Sequence, residues 1–293
     1  MTHSPPLLTA LTFAALLLAV LGLWWGRKVW IALTAVAVVL GYASGVLTGP
    51  AALWLVALAA CCVAYVRLES RSSGFARVGT AGAALGVVVI GILLGAHALP
   101  GFNNFRVAEN LTLSPGATPY TLYLNFDKTM VGILLLGALG HPLIRHGRDW
   151  TAALRATAPV LVVTVAIVIV GSLALGYVRV EPGAHALFWI WAPANLLMTC
   201  LGEEAFFRGF LQRTVRARLA SRRYADSLAI AIAAVAFGVA HLAGGAAYVA
   251  LATIAGAGYG YAYARTGRIE MAMLTHFALN ATHFLLFTYP RAA

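Results

Sequence analysis

Glu203 and Glu204 stand side by side in the middle of an otherwise apolar run, with Arg208 four residues after the second. Placing an acid at mid-bilayer depth costs roughly 2.5 to 3.5 kcal/mol on insertion scales, so carboxylates there mark a functional site by default. On a helix Glu204 and Arg208 are i,i+4 neighbours and neutralise each other. Glu203 projects about 100 degrees away from Glu204, which leaves it free to work. Two more groups follow. Phe237-Gly238-Val239-Ala240-His241 sets a ring one turn below a histidine, and His276-Phe277-Ala278-Leu279-Asn280, with His283 beyond it, forms a polar stripe on one helix face. Unsatisfied polar groups are costly in hydrocarbon, so such a stripe faces a partner or a water-filled cavity. The non-catalytic alternatives are an interhelical hydrogen-bond ladder for the stripe and a core or interfacial histidine for His241.

These residues must be positioned by membrane helices. The 293-residue chain is 61% hydrophobic and 10% charged, far from the balance of a soluble domain, and reads as an integral membrane protein. Its apolar runs are continuous and lack a period of two, which favours helices over barrel strands. The expected fold is all-α: a polytopic transmembrane helix bundle of about ten spans, at 6–25, 29–48, 51–67, 78–99, 129–145, 158–178, 184–212, 226–243, 246–264 and 270–289. With the N-terminus and C-terminus outside, 15 of the 20 Lys and Arg residues fall on the cytoplasmic side and Arg106, Lys128, Arg179 and Arg291 outside, as the positive-inside rule requires. The net charge of +11 is then a matter of topology. No polar domain carries it, so no nucleic-acid partner is expected.

The first span reads as a retained helix, because Met1 to Pro6 has no Lys or Arg and no small-residue cleavage site follows Trp24 and Trp25. Cys61, Cys62 and Cys200 lack metal-ligand spacing and read as buried thiols. An external loop at 100–128 holds Pro115, Pro119 and several aromatics, and is placed either over the outer mouth of the bundle or along the interface. Gly82-x-x-x-Gly86, Gly91-x-x-x-Gly95 and Gly256-x-x-x-Gly260 put small residues on helix faces, suiting a packed bundle or a homo-oligomer. No internal repeat is visible, so a repeat-built transporter gains no support. The chain divides into an accessory transmembrane region, 1–180, and a candidate catalytic helix core, 184–289.

Taken in order, Glu203-Glu204-x-x-x-Arg208, Phe237-x-x-x-His241 and His276-x-x-x-Asn280 resemble the CAAX protease and bacteriocin-processing family of intramembrane proteases, over about residues 185–289. The resemblance implies an intramembrane endopeptidase cutting a membrane-embedded or lipid-anchored protein or peptide, in a bacterial-type plasma membrane. It assigns Glu203 to water activation with His241 as its partner, His276 and Asn280 to the oxyanion, and Glu204 and Arg208 to supporting positions. Amide hydrolysis needs a base for water, a proton donor for the amine and donors for the oxyanion, and these groups supply all three without a nucleophilic Ser or Cys. No His-Glu-x-x-His motif is present.

A metal-free glutamate mechanism is preferred. Zinc is the alternative, with Glu203, Glu204, His241, His276 and His283 as candidate ligands. Two other functions stay open, a non-catalytic adaptor or bacteriocin-immunity factor on the same fold and a proton- or cation-coupled transporter. Counted at 1.5 Å per residue from the cytoplasmic ends, Glu203 lies about 15 Å deep, His241 roughly 20 Å and His276 about 9 Å. Tilt, or a surface helix beginning at Tyr224, is needed to bring them level.

Overall fold

Long apolar runs leave backbone N–H and C=O groups no partners but each other, so they close into helices. The computed structural model describes residues 2–71 and 73–293, and 71% of it is helical. Ten helices carry the chain among the described residues. The first four are α1 (Leu7–Trp25), α2 (Arg27–Ala43), α3 (Ala51–Glu69) and α4 (Gly74–Gly95). A two-stranded antiparallel hairpin follows, β1 (Phe105–Leu111) and β2 (Tyr120–Leu124), then α5 (Phe126–Ala138) and α6 (Gly147–Ala174). Helix α7 runs unbroken from Phe188–Ala194 to Arg213–Arg218. It widens into π turns at Asn195–Cys200 and Ala205–Gln212, on either side of the Leu201–Glu204 turn. The last three are α8 (Ala225–Ala240), α9 (Ala246–Thr266) and α10 (Ile269–Leu286).

Each expected apolar run holds one helix. Among the described residues α1, α3, α4 and α6 are long and apolar enough to cross a membrane, and α8 is apolar but shorter at 16 residues. Leu53, Val56, Leu85, Val162, Val170 and Val235 are exposed, an apolar girdle that suits acyl chains. The protein is therefore a mostly helical integral membrane protein.

The two ends of the bundle differ in charge. At one end, Arg27 after α1, Arg67 on α3 and Arg145 after α5 line one cavity of about 460 Å³. Arg268, between α9 and α10, donates to Pro142 O at 3.2 Å, and Tyr65 of α3 meets Thr214 of α7 at 3.3 Å. Gly267 makes the α9–α10 turn at φ +65, where a Cβ would be strained. The hairpin covers the opposite end. Val107, Ala108, Leu113 and Leu122 form a core with Leu187, Trp191 and Phe284, clamping the start of α7 to the end of α10. The 100–128 segment thus lies over the bundle mouth, with two strands in place of an irregular connector. It is also shorter than expected, because Phe126, Asp127 and Lys128 already belong to α5.

Candidate active site

Helix α7 supplies the charged centre. Glu204 and Arg208 are fully buried, and Arg208 Nη1 stands 3.0 Å from both Glu204 oxygens, donating to Oε1. The guanidinium lies 4.7 Å from the Phe237 ring centroid and 5.2 Å from that of Tyr259, and its Nη2 donates to Gly256 O at 2.8 Å. A Cβ on Gly256 would sit 3.1 Å from that nitrogen. Gly260 repeats the arrangement one turn on: its carbonyl accepts from Gln212 Nε2 at 2.9 Å. The Gly256-x-x-x-Gly260 face therefore admits two polar side chains of α7 to the α9 backbone as well as bringing helices close.

His276 joins the pair. Its Nδ1 donates to Glu204 Oε1 at 2.8 Å, which turns Nε2 toward Glu203 Oε2 at 4.0 Å. Stacking on Tyr259, 4.5 Å between centroids, fixes the ring plane. At the C-terminal end of α8, His241 donates from Nδ1 to Phe237 O at 2.7 Å, leaving Nε2 as its free nitrogen. Phe237 touches the rings of both histidines, with centroids 4.5 Å from His241 and 5.7 Å from His276.

Glu203 is not the free acid that the sequence suggested. Lys128, at the start of α5, donates from Nζ to Glu203 Oε1 at 3.1 Å, and both side chains are largely buried. Lys128 looked like one of the outer-side cations, because a position just after a long loop gives no sign of reaching a helix 75 residues away. Gly202 permits the approach: a Cβ there would meet Lys128 O at 2.6 Å. Beside this pair, buried Asp127 accepts from His97 Nδ1 at 2.8 Å and from Asn104 Nδ2 at 3.0 Å.

Asn280 points to a second unanticipated residue. It donates from Nδ2 to Asn195 Oδ1 at 3.1 Å, and Asn195 sits in the first π turn of α7. His283 lies on the same cavity as Asn280, but its Nε2 is engaged, donating to Thr288 O at 3.1 Å. The structure thus gathers Glu203, His241, His276 and Asn280 on one cavity of about 230 Å³, where Asn195, Thr199 and Tyr248 also contribute wall. Glu203 and His241 face a second cavity of about 270 Å³ as well, bounded by Gly91, Gly95, Phe206 and Phe207. A third, about 460 Å³, lies beneath the hairpin and meets the first at Asn195 and Thr199. Burial raises the Tyr120 phenol in its wall to about 12, so this hydroxyl stays neutral at any working pH.

The side chains meet in spite of the unequal depths counted along the sequence. Glu270, at the arginine-rich end, is 2% exposed and accepts from Ile144 N at 2.6 Å and Trp24 Nε1 at 3.0 Å. Helix α8 begins directly at Ala225, with no separate surface helix at Tyr224.

As zinc ligands, the five candidates do not fit. No three His, Cys, Asp or Glu residues converge within metal-holding reach among the described residues. Glu204 is occupied by Arg208 and His276, and His283 faces a backbone carbonyl.

A helical membrane protein with paired acids, two histidines and an asparagine around a buried cavity has the equipment of an intramembrane hydrolase. Residues 185–282, about a third of the chain, match the family model described as Rce1-like, type II CAAX prenyl endopeptidase Rce1-like. This bears out the resemblance carried by the three motifs: the segment is similar to a peptidase family. No curated protein and no solved structure matches the chain.

Proposed function

We propose that the protein is an intramembrane endopeptidase that hydrolyses a peptide bond of a membrane-anchored or membrane-inserted protein or peptide by glutamate-activated water. One observation carries this reading: Glu203, His241, His276 and Asn280, from three helices, line one cavity. Glu203 is the base. His276 Nε2, 4.0 Å from Glu203 Oε2, is close enough for one water to touch both groups. Glu203 takes the water proton as oxygen attacks the carbonyl. The C–N bond then breaks as the amine receives a proton, returned through Glu203 or through His241 Nε2. Asn280 Nδ2 and protonated His276 Nε2 are the oxyanion donors. Glu204 and Arg208 hold His276 through its Nδ1. The apolar walls of the second cavity, Phe206 and Phe207, favour a substrate that brings hydrocarbon to the same carboxylate.

The ten helices are read as ten spans with both termini outside, in a plasma membrane of bacterial type. The chemistry is metal-free. Dialysis against a zinc chelator is expected to leave the cleavage rate unchanged, and a loss restored by zinc would return the mechanism to metal catalysis. Glu203→Gln is expected to lower cleavage of a candidate membrane substrate by about 10²- to 10⁴-fold, the usual contribution of a positioned acid–base group. Wild-type turnover in that variant would end the proposal. A cellular phenotype that survived both Glu203→Ala and His276→Ala would instead favour a non-catalytic adaptor.

A further inference from the structure

We propose that the reaction centre is entered from the face opposite the arginine-rich end, through the hairpin-roofed cavity, so that the substrate is a membrane-anchored polypeptide whose cleaved segment lies on the extracytoplasmic side. The substrate clause rests on the endopeptidase reading; the route does not.

The first argument runs down α7. Asn195, Thr199 and Glu203 recur every four residues, and the first two form the wall shared by the vestibule and the central cavity. Beyond the second cavity, which ends against Phe206 and Phe207, the helix is closed. Arg208 is fully buried with both terminal nitrogens on Glu204 and Gly256, and Gln212 is 3% exposed and held by Gly260. Only past this plug do Arg213, Arg216 and Arg218 begin. The cavity at the arginine end, with Arg27, Arg67 and Arg145 in its wall, shares no lining residue with the cavities that contain Glu203. A path to the carboxylate thus leads from the hairpin end, and the cavity at the arginine end does not continue it.

The second argument gives that end its side. Fifteen of the 20 Lys and Arg residues belong to the turns and helix ends opposite the hairpin, and cationic turns stay in the cytoplasm. The hairpin then faces outward.

The third names the occupant. The vestibule wall has no Asp, Glu, Lys or Arg; beside His97 and the apolar Phe102 and Trp191 it offers the amides and hydroxyls of Asn103, Asn104, Thr121, Asn125, Asn195 and Thr199. Four consecutive β2 residues, Tyr120 to Tyr123, also line it, and β2 pairs only with β1 among the described residues. Amide and hydroxyl groups beside an unpaired strand edge suit an extended peptide backbone, by strand addition, better than a charged solute.

The test reads accessibility, not turnover. Thr199→Cys is treated with a membrane-impermeant cationic thiol reagent in intact cells and in inverted vesicles, with the parent protein as the reference for Cys61, Cys62 and Cys200. Modification is expected from the outer bath and lost in inverted vesicles, whereas Ser221→Cys, between α7 and α8, is expected to show the reverse. Labelling of Thr199→Cys only from the cytoplasmic side, equally from both sides, or from neither overturns the route, as does outer labelling of Ser221→Cys. Asn195→Cys provides a second position at the same junction should Thr199→Cys fail to accumulate. Outer labelling combined with no hydrolysis of any candidate would count against the endopeptidase reading and leave the route standing.

Discussion

Two cations contact two adjacent carboxylates, and their surroundings predict different consequences when each is removed. Arg208 and Glu204 are both fully buried. Truncating one member leaves an uncompensated charge in the dry interior, which costs about 3 to 5 kcal/mol. Arg208→Met is therefore expected to lower thermal stability in detergent and to reduce yield. Lys128 and Glu203 keep 17% and 14% exposure and border cavities, so water can reach an orphaned carboxylate. Lys128→Met is expected to leave the melting temperature nearly unchanged and to reduce kcat about 10- to 100-fold, as befits a misplaced base, with partial recovery in Lys128→Arg. Matched losses of stability in both variants would contradict this division. Sequence made Glu203, Glu204, Arg208, His241, His276 and Asn280 visible, because ionisable groups in apolar helices are conspicuous and regularly spaced. Lys128 and Asn195 were hidden for the opposite reason. A lysine after a loop and a lone asparagine in an apolar run are ordinary, and only the folded distance makes them partners.

Helix packing sets that distance. Gly132 of α5 faces Leu201 and Gly202 of α7, and Gly202 faces the backbone oxygen of Lys128. Backbone at 2.6 Å from a new Cβ has no rotamer to relieve it, so Gly202→Ala must push the two helices apart, at about 1 to 3 kcal/mol for overpacking. Its expected signature is a lowered melting temperature together with lost cleavage, whereas Gly82→Ala, whose Cβ would meet open space, is expected to be silent. Ten apolar runs gave ten helices because run length and composition carry that information. The two π turns that flank Glu203 and Glu204 were not legible. Each is a local widening held by tertiary contacts, and such turns are frequent at functional sites. The hairpin was missed because Phe105–Leu111 and Tyr120–Leu124 alternate poorly and their pairing slips at two points.

At the scale of the molecule, the first six helices and the family-matching segment hold each other's buried polar groups. Trp24 of α1 and the backbone of Ile144 both donate to Glu270 of α10, and Lys128 of α5 donates to Glu203 of α7. A fragment beginning at residue 184 would retain the family-matching segment yet leave both acids without these donors. It is expected to be degraded in membranes, and co-expression of residues 1–183 is expected to rescue it. A stable fragment with full activity would show that the first helices are dispensable.

The ammonium of Lys128 on Glu203 also bears on inhibitor chemistry. A drug that offered an amidine or amine to this acid would have to expel a tethered cation already in hydrogen-bond contact, and would gain little from the exchange. A neutral compound that presents two hydroxyls on a tetrahedral carbon keeps the lysine in place while answering the imidazole of His276 and the amide of Asn280. Selective ligands for this pocket should therefore be uncharged.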